Sequence, residues 1–487
     1  MANVTKSLAI SLAESYIIII LQLGTFVLIA RFLTPNEIGL YSVSVAVTGI
    51  VHLLRDFGVG SYLIQEKEIT NERIRTAFTI TLMISIFFFA LFQFASPMVA
   101  DFYRDERMIF VLRMLSINFL IIPFNSTTIA ILRRNMGFEI LIWFNLSAAV
   151  VGTTTVLMLA FLGFGYMSLV WSAIASTVTT CLAGLIYRRS EFWLRPTLKE
   201  WRRVFYFGSR VTFTNALTHI AININDLVIS RVLGFSAVAL LSRAQGVMNL
   251  FHRDVMSAIR NVAYPVFAQA HRQGSNLDQI HSRSVAAITA FAWPFYGFLA
   301  IYSLESLRLL FGPQWDAAAP LVPVFCLAGA IAALWSLALQ AITAAGRIDL
   351  TTRAELMIQP LRILALAICA LFFSTLMPYA VAFLVIYVLV LPIVYWHKQI
   401  VLPTDWVVLR AGLSASLKLT LFSLSAPLAL KVVLMVNHLT IPEYVVVPLA
   451  GVLCAGGWLW AIRWFAHPVV SDPVVPERLR RFLSCSR

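Results

Sequence analysis

The chain has 487 residues, of which 60% are hydrophobic and only 12% charged. A water-facing surface draws on roughly 25% charged residues, so this composition excludes a soluble globular enzyme. The 37 Lys and Arg against 23 Asp and Glu give a net charge of +14. Those positive groups are spread thinly between apolar stretches, whereas a nucleic-acid binder gathers them on a polar domain.

A membrane-crossing helix needs about 20 mostly apolar residues. In chain order such windows cover 8–32, 38–64, 76–100, 108–132, 138–162, 164–187, 204–233, 236–267, 285–303, 317–345, 353–373, 377–396, 408–435 and 443–465. They predict an all-α integral membrane protein with 14 transmembrane helices and connections too short for an extramembrane domain. The start, MANVTKSLAI, lacks a multiply basic n-region and a small-residue cleavage site, so the first window reads as a retained span. The five cysteines lie far apart with no CxxC pair, which predicts neither a disulfide framework nor a zinc site. No metal and no cofactor are expected.

Basic residues are retained on the cytoplasmic side of a bilayer. With the N-terminus inside, that side receives Lys6, Lys67, Arg73, Arg75, Arg133, Arg134, the run at 188–203, Arg272, Arg283, Arg347, Arg353, Lys398, Arg410, Arg463 and the cluster at 478–487. Only Arg104, Arg107 and Arg308 fall outside. Both termini are therefore expected in the cytoplasm, and an even number of spans agrees with that. The longest connection, RRSEFWLRPTLKEWRRVFYFGSR, mixes Trp193, Trp201, Phe205 and Tyr206 with basic residues. It reads equally as an amphipathic helix on anionic lipid and as a positive-inside loop with a snorkelling helix start.

A repeat is visible within the chain. IARFLTPNEIGLYS from Ile29 matches ISRVLGFSAVALLS from Ile229 at Ile, Arg, Leu, Leu and Ser, and GIVHLLRD from Gly49 resembles GVMNLFHRD from Gly246 with one inserted residue. An even number of spans per repeat gives two halves running the same way through the membrane. The expected organisation is an N-lobe at 1–187 (spans 1 to 6), a basic amphipathic linker at 188–203, a C-lobe at 204–400 (spans 7 to 12), and 401–487 with spans 13 and 14 and a basic tail. Pro123, Pro265, Pro294, Pro320, Pro323 and Pro360 mark kinks within spans.

Arg31, Arg55, Arg113, Arg210, Arg231, Arg243, Arg253, Arg260, Arg362, Lys418 and Lys431 lie within spans. A charge at mid-bilayer costs ~2.5–3.5 kcal/mol, so a deep one calls for a polar interior. Arg31, Arg231, Arg260 and Lys431 are close enough to span ends to anchor at the interface. Arg55, Arg113, Arg253 and Arg362 are deeper. Arg55 continues a face with Ser44, Thr48 and His52; Arg253 continues Gln245, Asn249 and Ser257; span 7 carries Thr212, Asn215, His219, Asn223 and Asp226 at steps of three and four. Guanidinium groups offer paired donors to phosphate oxygens and keep their charge, so Arg55, Arg253, Arg113 and Arg362, with His52, Asn223 and Asn249, form the candidate substrate-binding set. The competing reading is internal pairing, although adjacent helical residues such as Arg55 and Asp56 point about 100° apart and each needs a partner on another helix. Asp56, Asp226, Asp254 and Glu14 are candidates for coupling to an ion gradient, and equally for salt bridges.

The stretches ARFLTPNEIGLYSV, RDFGVGSYLIQ, LKEWRRVFYFGSR, LLFGPQWDAAAPL and AITAAGRIDLTTRAEL resemble the polysaccharide transporter (Wzx-type flippase) branch of the multidrug/oligosaccharidyl-lipid/polysaccharide exporter superfamily, especially the subgroup around colanic acid exporters. The resemblance implies two six-helix lobes around a V-shaped cationic cavity and translocation of an undecaprenyl-pyrophosphate-linked oligosaccharide, with no bond made or broken. Its implied partners are membrane lipids and the lipid-linked oligosaccharide, with a polysaccharide polymerase or assembly protein a further candidate; no nucleic acid is expected. A multidrug exporter, a lipid II flippase and a membrane-embedded glycan polymerase or ligase are the alternatives.

Overall fold

A computed structural model of the chain describes residues 17–18, 21–66, 68–187, 196–199, 201–202, 204–206, 208, 212, 226–439, 441–465 and 467. All regular structure among these residues is helical. Ten helices are long and apolar enough to cross a membrane, eleven if one bent pair is a single span, among the described residues. The predicted span 204–233 falls largely outside that set, the first is described at 17–18 and from Leu21 onward, and the eighth is interrupted by a non-α turn. Large apolar side chains project from the helices, Phe94 82% exposed and Leu371 79%. In water such a surface would aggregate; hydrocarbon is the solvent it suits.

Packing divides the chain into two compact units, Met1–Ala239 and Leu240–Arg487. The first contains α1 (Leu21–Phe32), α2 (Pro35–Asp56), α3 (Val59–Gln65), α4 (Asn71–Tyr103), α5 (Arg107–Ile121), α6 (Pro123–Arg134), α7 (Phe138–Phe161) and α8 (Met167–Tyr187). Here α4 lies on α5, α7 on α8, and α5 also packs on α2 and α8. The sequence LTPNE starts α2: Thr34 Oγ1 accepts from the Glu37 amide at 3.3 Å, Glu37 Oε2 accepts from the Thr34 amide at 2.9 Å, and Pro35 occupies the first turn. Two otherwise orphan donors are thus satisfied reciprocally. Val59, Tyr62 and Leu63 of α3 bury against Ile74 and Ala77 of α4 and Ala130 and Ile131 of α6. Arg134 donates to the carbonyls of Leu63 and Ile64, both at 3.1 Å, and to that of Glu66, capping the end of α3.

The division between the units falls in α9 (Phe235–Asn249). A π-helical turn, Leu250–Val255, joins it to α10 (Met256–Arg272). There follow α11 (Leu277–Ile301), α12 (Ser303–Phe311), a 3-10 turn (Pro313–Leu321), α13 (Val322–Trp335), α14 (Ala338–Ala344), α15 (Ile348–Phe372), α16 (Leu376–Val401), α17 (Trp406–Val436) and α18 (Glu443–Trp464). In the second unit α11 is central, packed on both α13 and α17, with α16 against α13 and α18 against α17.

Several charges assigned from sequence to water or to the interface are tied inside this unit. Lys398 is fully buried and ion-paired to Asp278, and also donates to Thr404 Oγ1 at 2.9 Å. The second Asp278 oxygen accepts from the Asp405 amide at 2.9 Å, and Asp405 itself caps α17 through the Val407 and Val408 amides. Lys431 pairs with Glu305, with its ammonium 5.0 Å from the Tyr302 ring centroid. Arg308 joins Asp316 at 2.6 Å and Glu443 at 3.3 Å. Position near the end of an apolar window is the same signal for a snorkelling charge and for a paired one, and only the fold separates them.

Candidate functional site

Two interruptions of helix build a cavity in the first unit. The first follows the Arg55–Asp56 pair: Phe57 (φ 43°) and Gly58 (φ 61°) are left-handed, so α2 stops and α3 starts anew within the same apolar stretch Pro35–Gln65. Glycine accepts that conformation freely, whereas Phe57 is strained by roughly 1–2 kcal/mol, offset by its ring packing on Phe205 at 5.1 Å. The second is Pro123, which lacks an amide proton; α5 and α6 meet there at 51°. Between these breaks and α8 lies a cavity of about 350 Å³ lined by Arg55, Asn125, Arg133, Ser176, Thr177 and Thr180, with Asp56 also on its wall.

Arg55 is 5% exposed. Its Nε and Nη1 have no hydrogen-bond partner among the described residues, and Nη2 stands 3.9 Å from Asp56 Oδ1, outside hydrogen-bond distance. The adjacent acid therefore approaches the guanidinium without satisfying it, and among the described residues no second helix supplies the partner that internal pairing requires. A buried donor left unmade costs about 1–3 kcal/mol, and arginine cannot escape by losing its proton. Beside Arg133 and the apolar Ile64, Ile122, Ile129 and Ala130, the lining also carries groups of the opposite character. Ser176, Thr177 and Thr180 donate to the carbonyls of Ala148, Ala173 and Ser176 at 3.1, 2.9 and 2.8 Å, so their oxygens are left to accept. Asn125 Oδ1 is a buried acceptor without a partner among the described residues. Gly184 makes room for that amide, since a Cβ there would run into Asn125 Oδ1. The cavity thus combines strongly donating guanidinium nitrogens with several acceptors, which matches a ligand bearing anionic oxygens together with hydroxyl groups.

The remaining expected residues are distributed unevenly. His52 lies half-buried with its ring 4.6 Å from that of Phe119. Ser44 and Thr48, on the same face, are buried and donate within α2 to Leu40 and Ser44 carbonyls at 2.8 and 2.9 Å, so the polar stripe above Arg55 is satisfied internally. Arg113 does not line the cavity; it is exposed and its Nε donates to Ser96 Oγ at 3.0 Å. Asp226 is half-buried in the first unit. Glu14 and Asn223 lie outside the described residues, as does most of the polar face of span 7. In the second unit Asn249, Arg253 and the backbone of Asp254 surround the π turn, Arg253 exposed, and the Arg362 guanidinium lies 5.8 Å from the Tyr387 ring centroid. The residues missed from sequence are Asn125, Ser176, Thr177, Thr180 and Arg133. Their signal was faint: hydroxyls in an apolar span read as ordinary helix-satisfied groups, and Arg133 as a positive-inside charge.

A helical membrane protein with a buried guanidinium beside broken helices is the class these features define, and solved structures share the fold. The chain superimposes on the lipid II flippase MurJ in an inward closed conformation with a TM-score of 0.69 and 14% identity, covering 94% of this chain and 99% of that one. An inward-facing multidrug resistance MATE family transporter of the MOP superfamily matches with a TM-score of 0.56 and 14% identity over 79% of this chain and 95% of that one. Residues 28–320 match the polysaccharide biosynthesis protein family, and the chain belongs to that family. Among its relatives are the teichuronic acid biosynthesis protein TuaB of Bacillus subtilis (23% identical, covering 68% of this chain and 69% of the relative) and the lipopolysaccharide biosynthesis protein WzxC of Escherichia coli (23%, 70% and 70%). The succinoglycan biosynthesis transport protein ExoT of Rhizobium meliloti is 26% identical over 64% of this chain and 63% of its own.

Proposed function

We propose that this protein is a multi-pass transporter of the bacterial cytoplasmic membrane that flips a lipid-linked oligosaccharide, carried on undecaprenyl pyrophosphate, by alternating access for surface polysaccharide biosynthesis. The observation that carries the reading is Arg55: a buried guanidinium with two nitrogens unpartnered among the described residues, on a cavity that also holds Arg133, the hydroxyls and amide of Ser176, Thr177, Thr180 and Asn125, and an apolar wall. A phosphate oxygen meets the guanidinium and sugar hydroxyls meet the Ser and Thr oxygens, which is the pairing a glycosylated pyrophosphate offers. Membership of a polysaccharide biosynthesis family whose relatives include a named transport protein supports the same cargo class. No covalent step is required, so the protein is read as a carrier and not as an enzyme.

The finer architecture belongs to the same proposal: fourteen spans, lobes at 1–187 and 204–400 joined by the basic segment 188–203, two further spans in 401–487, and both termini in the cytoplasm. The retention of basic residues on one side of the membrane supports that orientation. Asp56, Asp226, Asp254 and Glu14 are proposed as groups through which an ion gradient drives the cycle. The test is deletion of the gene followed by chemical analysis of lipid-linked saccharides on each leaflet. Complete repeat units facing the cytoplasm are expected to accumulate. Outward-facing single units would indicate a polymerase, and unchanged glycan with raised drug sensitivity would indicate a multidrug exporter.

A further inference from the structure

The basic segment between the two halves of the sequence repeat has two unlike sides. Residues 201–202, 204–206 and 208 are helical and belong to the first unit. On the inner side Val204 is fully buried in the cluster of Val59, Tyr62, Ile74 and Ala130. The Phe205 ring lies 5.1 Å from that of Phe57, and Gly208 comes so close that a Cβ there would run into the Phe57 carbonyl. Just upstream, the Thr197 amide donates to Thr79 Oγ1 at 3.0 Å and Lys199 pairs with Glu72 at 2.7 Å. The segment is thus tied to α3 and to the first turns of α4.

These ties fix its depth. α4 has 33 residues, which at 1.5 Å per residue is about 50 Å against a hydrocarbon core of about 30 Å, so its ends reach into the headgroup layers. Glu72 stands in the first turn, and Thr79 lies about 10 Å further along the axis. A segment bonded to both lies where headgroups meet acyl chains.

At that level the outer side offers large apolar bodies and a positive charge. Trp201 is 45% exposed, Phe205 50% and Tyr206 62%, with the Trp201 and Phe205 rings 6.1 Å apart at a spacing of one helical turn. Arg202 is exposed as well, its guanidinium 5.8 Å from the Trp201 ring centroid. Trp and Tyr rings settle at the boundary between headgroups and hydrocarbon, because one end is apolar and the other forms hydrogen bonds. The charge selects the lipid. Residues 188–203 contain six Lys and Arg against two Glu. A zwitterionic surface would accept the rings and give no net attraction to that excess, whereas an anionic surface attracts both parts.

We propose that the outer side of residues 198–206 is a docking surface for anionic phospholipid, with Leu198, Trp201 and Phe205 at the acyl boundary and Arg202 on a headgroup phosphate. The surface needs no cargo and stands apart from the transport reading.

The test is hydrogen–deuterium exchange of peptides within 196–208, on the full-length protein in nanodiscs of phosphatidylcholine alone and of phosphatidylcholine mixed with phosphatidylglycerol. Exchange is expected to be at least roughly fivefold slower in the phosphatidylglycerol discs, the factor one arginine near an anionic surface supplies, and raised salt should erase the difference. Arg202→Gln should shrink the difference by about that factor, and Trp201→Ser should speed exchange in both lipids; both side chains are exposed, so neither change removes a core contact. Equal exchange in the two compositions would overturn the proposal, as would a difference that both variants leave unchanged. Slow exchange found only in native membrane vesicles, and in neither disc, would point to a protein partner and overturn the lipid assignment.

Discussion

Asp278→Ala strands a positive charge at a fully buried position, which makes it the sharpest probe of how the second unit is held together. Once its carboxylate is gone Lys398 keeps Thr404 Oγ1 at 2.9 Å and the Tyr395 ring at 5.8 Å, and the Asp405 amide loses its acceptor. Removing one member of a buried pair costs about 3–5 kcal/mol, because the remaining ion is desolvated and uncompensated. Replacing both members by apolar residues, Asp278→Leu with Lys398→Met, removes that penalty and leaves mainly the unpaired Asp405 amide, worth about 1–3 kcal/mol. The double variant is therefore expected to be more stable than Asp278→Ala alone. The assay is the fraction of purified protein that elutes as a monodisperse peak after heating in detergent, read as an apparent Tm. At roughly 2–4 °C per kcal/mol for a unit of this size, Asp278→Ala should melt about 6–20 °C lower. An Asp278→Ala protein within 2 °C of wild type, or a double variant less stable than either single one, would refute the argument that the pair is buried and mutually compensating.

Three further outcomes follow from the first unit. Arg55→Ala is expected to abolish surface glycan export in cells while the protein still inserts, whereas Arg113→Ala, whose side chain is engaged by Ser96 away from the cavity, should export nearly normally; immunoblots of surface polysaccharide distinguish the two. Gly184→Ala pushes a methyl into the Asn125 amide and should slow export several-fold with little loss of protein, measured as glycan per unit of membrane protein, since the adjustment is confined to one side chain at the cavity wall. Asp105 accepts hydrogen bonds from Arg107, which hold its carboxyl below the usual carboxylate range. Its stabilisation is therefore present above the unfolded value of about 4 and is lost as pH falls through the lower folded value. The Tm advantage of wild type over Asp105→Asn at pH 7 should disappear as pH is lowered past that range.

The membrane character, most spans and the interior position of Arg55 were legible in the sequence because each rests on a cost that hydrocarbon imposes regardless of tertiary detail. A run of apolar residues must cross, and a charge in its midst must find an interior. What surrounds Arg55 was not legible. Asn125 and Thr180 reach the same cavity only because the chain bends at Pro123 and α2 ends at Phe57, and neither the angle of a proline kink nor the direction after a left-handed residue is written in composition. Lys398 and Lys431 looked like interfacial charges for the same reason: their partners Asp278 and Glu305 lie 120 and 126 residues away. The inserted residue in GVMNLFHRD was visible as a gap in the repeat, but whether it makes a loop, a kink or a π turn is decided by the helices packed around it.

The most direct test of the central claim is reconstitution of the purified protein into liposomes loaded with an undecaprenyl-pyrophosphate-linked oligosaccharide, with translocation read as the rate at which the saccharide becomes accessible to an enzyme added outside. Wild-type vesicles are predicted to expose the saccharide faster than protein-free vesicles, and Arg55→Ala vesicles at the protein-free rate. Wild-type vesicles no faster than protein-free ones, or Arg55→Ala vesicles as fast as wild type, would contradict it.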